Sequence, residues 1–265
     1  MVAPASRRSR TSVRAWIVVV VAVVASGCAG GASSEPTPSA SPAAPTRQPA
    51  SRAPSVDVSE PAPGRPTPSA DDDDLVGEPI DFFFADGDTL GVVGVAADDV
   101  LNVRSAPGLQ AGVVATLEPL DEAVATGSAR RLAQSIWAQV DAGATVGWAN
   151  VAYLAYLGAT DDVTAEVTDQ LGGSVSAETM VELGRAVAQT RASTEPRSTI
   201  TVVDGPSVGD LGEITIDVVG LGDDSVLGAR LHVFGQPAED GEGFALRSVE
   251  QTDLCQRGVS EGLCV

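Results

Sequence analysis

The sequence contains no lysine. All sixteen basic residues are arginine, set against thirty-six Asp and Glu and a single His, for a net charge of −20 over 265 residues. Without lysine there is no Schiff-base amine and no phosphate-loop lysine, and one His rules out a two-histidine zinc site. The acidic balance excludes nucleic acid as a partner, because that contact needs a basic footprint. Aromatic residues make up only 4% of the chain and cysteines number three.

Proline and glycine are unevenly spread. Ten of the seventeen prolines lie between positions 29 and 70, in a stretch of Ala, Ser, Thr and Gly without one aromatic residue. So little apolar surface does not offset the entropy of ordering, and residues 28–74 are expected to form a disordered linker. The four aspartates at 71–74 close it. They are expected to stay solvated, since a calcium loop alternates ligands with spacers and needs a turn glycine. From position 75 on there is enough chain for two small cores.

The N-terminus reads as an address. Arg7, Arg8, Arg10 and Arg14 precede an apolar run of ten residues at 16–25, WIVVVVAVVA. That is short for a membrane span and suited to a signal-peptide core, so 1–27 is expected to be a signal peptide. Ala25-Ser26-Gly27-Cys28 resembles the lipobox of bacterial lipoproteins, with Ala25 where Leu is commoner. The resemblance implies that Cys28 becomes the first mature residue and carries a diacylglyceryl thioether. The protein would then be membrane-anchored through lipid, on the extracytoplasmic face. Processing would leave twelve Arg against thirty-six acids. So acidic a chain is repelled by anionic headgroups, which makes a covalent tether necessary. The linker would give a reach of roughly 35–40 Å as a coil. An exported chain meets oxidising conditions, so Cys255 and Cys264 are expected to form a disulfide. Metal or redox chemistry is disfavoured there, with no CxxC spacing and no nearby His.

Residues 87–158 read as short strands separated by Gly and Pro turns, the pattern of a small barrel or sandwich. Four blocks there resemble bacterial SH3-like (SH3b) domains. Leu101-Asn102-Val103-Arg104-Ser105-Ala106-Pro107-Gly108 is similar to that family's LNVRSGPG signature, with Ala106 in place of Gly. VVATL at 113–117 is similar to its second strand, Ile136-Trp137-Ala138-Gln139-Val140 to its W-x-x-V strand, and Gly147-Trp148-Ala149 with Tyr153-Leu154 to its closing GWV…YL. The resemblance implies an SH3-like β-barrel and, from other members, binding of peptidoglycan cross-bridges or stem peptides. Trp137 and Trp148 either fill the core or line a groove. Arg104 at a strand end is more often a structural donor than a ligand contact.

Residues 161–265 read as a small α+β domain, one helix on a four-stranded antiparallel sheet. Ser176 is expected to cap a helix over 177–192 with Met180, Leu183, Gly184, Val187 and Ala188 on one face. Strands follow around Ile200 and Val202, around Ile214, Ile216 and Val218, around Leu231 and Val233, and around Phe244 and Leu246. The ending LRSVEQTDLCQRGVSEGLC and the LGDDSV turn at 221–226 resemble a secreted bacterial domain of no assigned activity. Gly205-Pro206-Ser207-Val208-Gly209 fits the G-x-S-x-G pattern, followed by Asp217, Asp223, Asp224 and then His232. A hydrolase elbow must pass from strand into helix, and here a second strand follows, so a hairpin loop is expected and no catalytic residue is assigned.

The whole is therefore expected to be mainly β and non-catalytic, with no cofactor and no metal. Its partners would be the membrane, through the anchor, and a cell-wall peptide or an envelope protein. Between positions 88 and 158 three Arg face seven acids, so a peptide with a free amine suits the region better than a polyanion. Trp137, Trp148 and Tyr153 are the candidate aromatic contacts, with Asp98, Asp99 and Asp141 as candidate rim carboxylates. An accessory envelope lipoprotein is the alternative, and a wall hydrolase the disfavoured one.

Overall fold

The computed structural model describes residues 75–81, 84–238 and 242–265. The signal peptide, Cys28 and the linker at 28–74 lie outside the described residues. All described residues belong to one compact unit.

The architecture is mainly β. The strands are β1 (Glu78–Ile80), β2 (Asp86–Val92), β3 (Leu101–Arg104), β4 (Val113–Leu117), β5 (Glu122–Leu132), β6 (Ser135–Asp141), β7 (Val146–Asn150) and β8 (Leu154–Asp162). Helix α1 (Thr164–Gln170), β9 (Ser176–Ala177) and helix α2 (Met180–Gln189) come next. The chain ends with β10 (Thr199–Val208), β11 (Gly212–Val219), β12 (Val226–Pro237), β13 (Phe244–Cys255), β14 (Val259–Ser260) and β15 (Leu263–Cys264). Thirteen strands form one sheet in the order β10-β11-β12-β13-β8-β2-β5-β6-β7-β3-β4, with β1 beside β5 and β9 beside β13. Every ladder in it is antiparallel.

The expected closed barrel is not seen. The sheet runs open from β10 to β4, and among the described residues no ladder joins β4 to β2. Strand β8 serves two neighbours. Its first residues, Leu154 and Ala155, pair with Val92 and Gly91 of β2. From Tyr156 to Asp162 it pairs instead with β13. A small seam core of Val93, Ala155 and Leu254 lies where the two halves meet.

Each half has its own apolar core. Leu90, Val92, Leu101, Val103, Val140 and Leu154 anchor the first. Leu183, Val187, Ile214, Ile216, Leu231 and Val233 anchor the second. Alternation explains the second: Ile214, Ile216 and Val218 of β11 turn one way and meet α2, while Thr215 and Asp217 turn the other. Gly184 lets α2 come close, since a Cβ there would stand 2.7 Å from Ile216 Cδ1. Two helices are present rather than one, and the cap of α2 is Thr179, not Ser176. Thr179 Oγ1 accepts from Glu182 N at 3.1 Å and Glu182 Oε2 accepts from Thr179 N at 3.1 Å. That reciprocal pair is a capping box, whereas Ser176 sits in β9 and pairs with Ala245.

Cys255 and Cys264 are joined in a disulfide. The hairpin it closes reaches β8, where Ala159 N donates to Gly262 O at 2.7 Å.

The two halves are held by a buried clasp. Asp217 is 0% exposed. Its Oδ1 accepts from Arg230 Nε at 2.8 Å, and its Oδ2 accepts from Arg230 Nη2 at 2.9 Å and from Gly94 N at 2.8 Å. Arg230 Nη2 also donates to Val92 O at 2.7 Å. Removing one partner of a buried pair leaves an uncompensated charge, whereas replacing both with apolar groups is far cheaper. Asp217→Ala is therefore expected to destabilise the protein by about 3–5 kcal/mol in denaturant titration, and the double variant Asp217→Leu/Arg230→Met by less, because it leaves no unpaired charge but still strips the Gly94 amide and the Val92 carbonyl of their partners. Equal losses in the two would show that the pair carries no mutual compensation.

Candidate functional site

A groove of about 430 Å³ opens on the first half, close to the seam. Strand β3 supplies part of it. Leu101 and Val103 are buried in the core, so the alternate residues Asn102 and Arg104 turn outward and line the groove. Arg104 Nη1 donates to Ala111 O at 2.7 Å and Ser105 N to Gly112 O at 2.8 Å, which closes the 105–112 turn and sets exposed Leu109 at the rim.

Asn150 ends β7 and caps the following 3-10 turn, Val151–Tyr153, by accepting from Ala152 N at 3.0 Å. This turn presents Tyr153, which is 41% exposed. Tyr153 O accepts from Val93 N at 3.0 Å, fixing the turn to the end of β2.

The opposite wall is the loop at 94–100. Gly94 takes φ 65°, a left-handed value that suits glycine, as its amide meets Asp217. Ala97 N then donates to Val202 O of β10 at 3.0 Å. Asp99 follows, exposed, with Oδ1 accepting from Val100 N at 2.8 Å. Thr201 of β10 lines the same groove. Its register partner across the sheet is Asp217, itself opposite Arg230, so groove wall and clasp share one row of side chains.

The sequence-based candidates divide. Trp137, Tyr153 and Asp99 come together in the groove. Trp137 is 2% exposed, with Nε1 donating to Ser135 Oγ at 2.9 Å, so it forms floor rather than an open face. Trp148 is also 2% exposed, packed in β7 and away from the groove lining. Asp98 is exposed next to Asp99 but does not line the groove. Asp141 ends β6, where Oδ1 accepts from Gly143 N at 3.0 Å in the following turn. Asn102, Asn150, Leu109 and Thr201 were not singled out from sequence. The alternation of LNVR carries the signal for Asn102, but nothing local to β10 marks Thr201.

The G-x-S-x-G segment lies at the end of β10 and runs through a hairpin into β11, with Gly209 N donating to Leu211 O at 2.8 Å. It is not a strand-to-helix elbow. Ser207 stands opposite Glu213. His232 packs on Phe234 with ring centroids 4.2 Å apart, and its Nε2 is 3.8 Å from Glu213 Oε2. Asp217 is committed to Arg230 and Gly94. Asp223 accepts from Ser225 N and Val226 N in its turn, and Asp224 pairs with Arg257 at 3.3 Å. Among the described residues no three His, Cys, Asp or Glu side chains cluster to hold a metal ion.

A second cleft holds Tyr156 against Asp88, hydroxyl to Oδ2 at 2.5 Å, with the Phe84 ring edge-on at 5.4 Å. Burial first, then the hydrogen bond to Asp88 and its negative charge, push the phenol well above the ordinary tyrosine value of 10.0. A raised folded-state value means that this contribution to stability is present below pH 10 and is lost as pH rises beyond it. An ultraviolet pH titration is expected to show a late-ionising phenol that Tyr156→Phe removes. Ionisation of Tyr156 at the ordinary value would contradict the contact.

Compared with family models, curated proteins and solved structures, the chain matches none.

Proposed function

We propose that the protein is a non-catalytic, lipid-anchored binding protein of the extracytoplasmic membrane face, whose groove takes a cell-wall peptide. The observation that carries this is the groove itself. It gathers Asn102 and Arg104 from the LNVR block and Tyr153 from the closing YL block, residues far apart in sequence, around one cavity. The region 87–158 is read as an SH3-like unit on its four blocks, which fall on β3, β4, β6 and β7 with the turn after it. Attachment at Cys28 and the reach of the following linker would bring such a groove into the layer where wall peptides lie. The non-catalytic reading is supported by the hairpin setting of Ser207 and the full engagement of Asp217.

A protein partner in an envelope complex is the second reading, favoured by β4. That strand ends the sheet, carries no charge and leaves Val113 49% and Val114 43% exposed. Uncharged edge strands of this kind accept a further strand by backbone pairing.

Retention on purified wall sacculi distinguishes the two. The intact protein is expected to be retained, and Tyr153→Ala to weaken retention by about 1–2 kcal/mol without lowering Tm. Retention unchanged by that variant would move the contact out of the groove, and no retention at all would favour the protein partner. Cys28→Ala is expected to abolish lipidation. If that variant stays in the membrane fraction at the normal mature mass, the anchor assignment fails.

A further inference from the structure

The groove has a chemical asymmetry that reaches beyond a preference for amines. It holds one carboxylate, Asp99, and one guanidinium, Arg104, with the amides of Asn102 and Asn150, the ring of Tyr153 and the apolar side chain of Leu109 as its other main contacts. Asp99 is exposed and spends one oxygen on the neighbouring Val100 amide. Arg104 spends Nη1 on Ala111 O, and a guanidinium has five N–H donors. Amine and carboxylate partners are thus both at hand in a cavity of small-molecule size.

The second feature is who builds the wall. Thr201 belongs to β10, in the half of the chain that the SH3-like blocks do not cover. The Asp99 loop is tied to that half twice, by Gly94 N to Asp217 and by Ala97 N to Val202 O. Three consecutive residues set its position: Val92 O accepts from Arg230, Val93 N donates to Tyr153 O, and Gly94 N donates to Asp217.

We propose that the groove is a composite site for a short zwitterionic peptide, with Asp99 taking the amine, Arg104 the carboxylate, and β10 forming one wall through Thr201. This rests on the reading of the groove as a peptide site. Asp217 acts as a positioning residue, since it holds the loop that carries Asp99 and sits beside Thr201 in the sheet.

The test is a titration of the full chain with alanyl-alanine, its N-acetyl form and its C-terminal amide, followed by backbone amide resonances. The free dipeptide is expected to shift Asp99, Asn102, Tyr153 and Thr201 together. Blocking either end is expected to weaken binding by about tenfold or more. Thr201→Tyr, which fills the groove from the β10 side, is expected to abolish the shifts while the amide resonances of β11 and β12 keep their folded positions. Asp99→Asn, at an exposed position, is expected to erase the difference between free and acetylated amine. Equal binding of the blocked forms, an unmoved Thr201, or no shifts at all would overturn the proposal. Sacculus retention of the same protein separates the two readings. Retention without a dipeptide response sinks this inference alone, and a dipeptide response without retention sinks the wall assignment alone.

Discussion

A carboxylate shut away from water constrains everything else in this molecule. Taking an ion of that size out of water costs several kcal/mol even after relaxation, so Asp217 persists only with its oxygens fully bonded. Its donors come from both halves of the chain: Arg230 on the neighbouring strand β12, and the Gly94 amide at the end of β2. Arg230 in turn spends a proton on Val92 O. Pulling the halves apart would break the Gly94 N to Asp217 and Arg230 to Val92 O hydrogen bonds, while Asp217 and Arg230 kept each other. The shared strand β8 and the seam core of Val93, Ala155 and Leu254 reinforce the same junction with apolar burial. The two regions read from sequence are joined in one continuous sheet.

Much of the local structure was legible. The strands around Ile214, Leu231 and Phe244 follow from alternation, and the apolar face of α2 from Met180, Leu183, Gly184, Val187 and Ala188. The disulfide followed from compartment and an even count. The start of α2 was misjudged because Ser176 is a good cap residue in isolation. The decisive signal was Thr179 with Glu182 three residues on, where two side chains satisfy two orphan amides at once. Closure of the barrel was beyond local pattern. Strands β2 to β7 were marked by their own residues, but β8 was not, and its sharing between β2 and β13 depends on pairings nearly a hundred positions apart. The polar side of β11 is the same case. Period-two alternation hands Thr215 and Asp217 to solvent, yet both are buried, and the chain that meets Asp217 lies more than a hundred positions earlier.

The site follows that division. Tyr153, Trp137 and Asp99, which line the groove, belong to recognisable blocks or stand beside them. Trp148 was grouped with Trp137 because both are indoles in similar strands, but it packs inward in β7 and lines no part of the groove. Asn102 and Arg104 gain their place from simple alternation against Leu101 and Val103. Thr201 gains its place from the clasp and from the Ala97 N to Val202 O bond, which set β10 beside the first half. On the proposed reading, binding chemistry and fold stability are therefore linked through one row of side chains, Thr201, Asp217 and Arg230. On the same proposed reading, the mixed charge of the groove would reconcile an acidic protein with a peptide ligand, a net charge of −20 attracting the amine and Arg104 retaining the carboxylate.

Native-state hydrogen exchange on the intact chain tests the central claim, that the clasp makes one cooperative unit of the two halves. The Gly94 amide is expected to exchange only through global opening, with the same free energy as the amides of Ile216 in β11 and Val140 in β6. Exchange of Gly94 and of β3 to β7 at a distinctly lower free energy than β11 and β12 would contradict the account. It would mean that the first half opens by itself and that Asp217 holds nothing together.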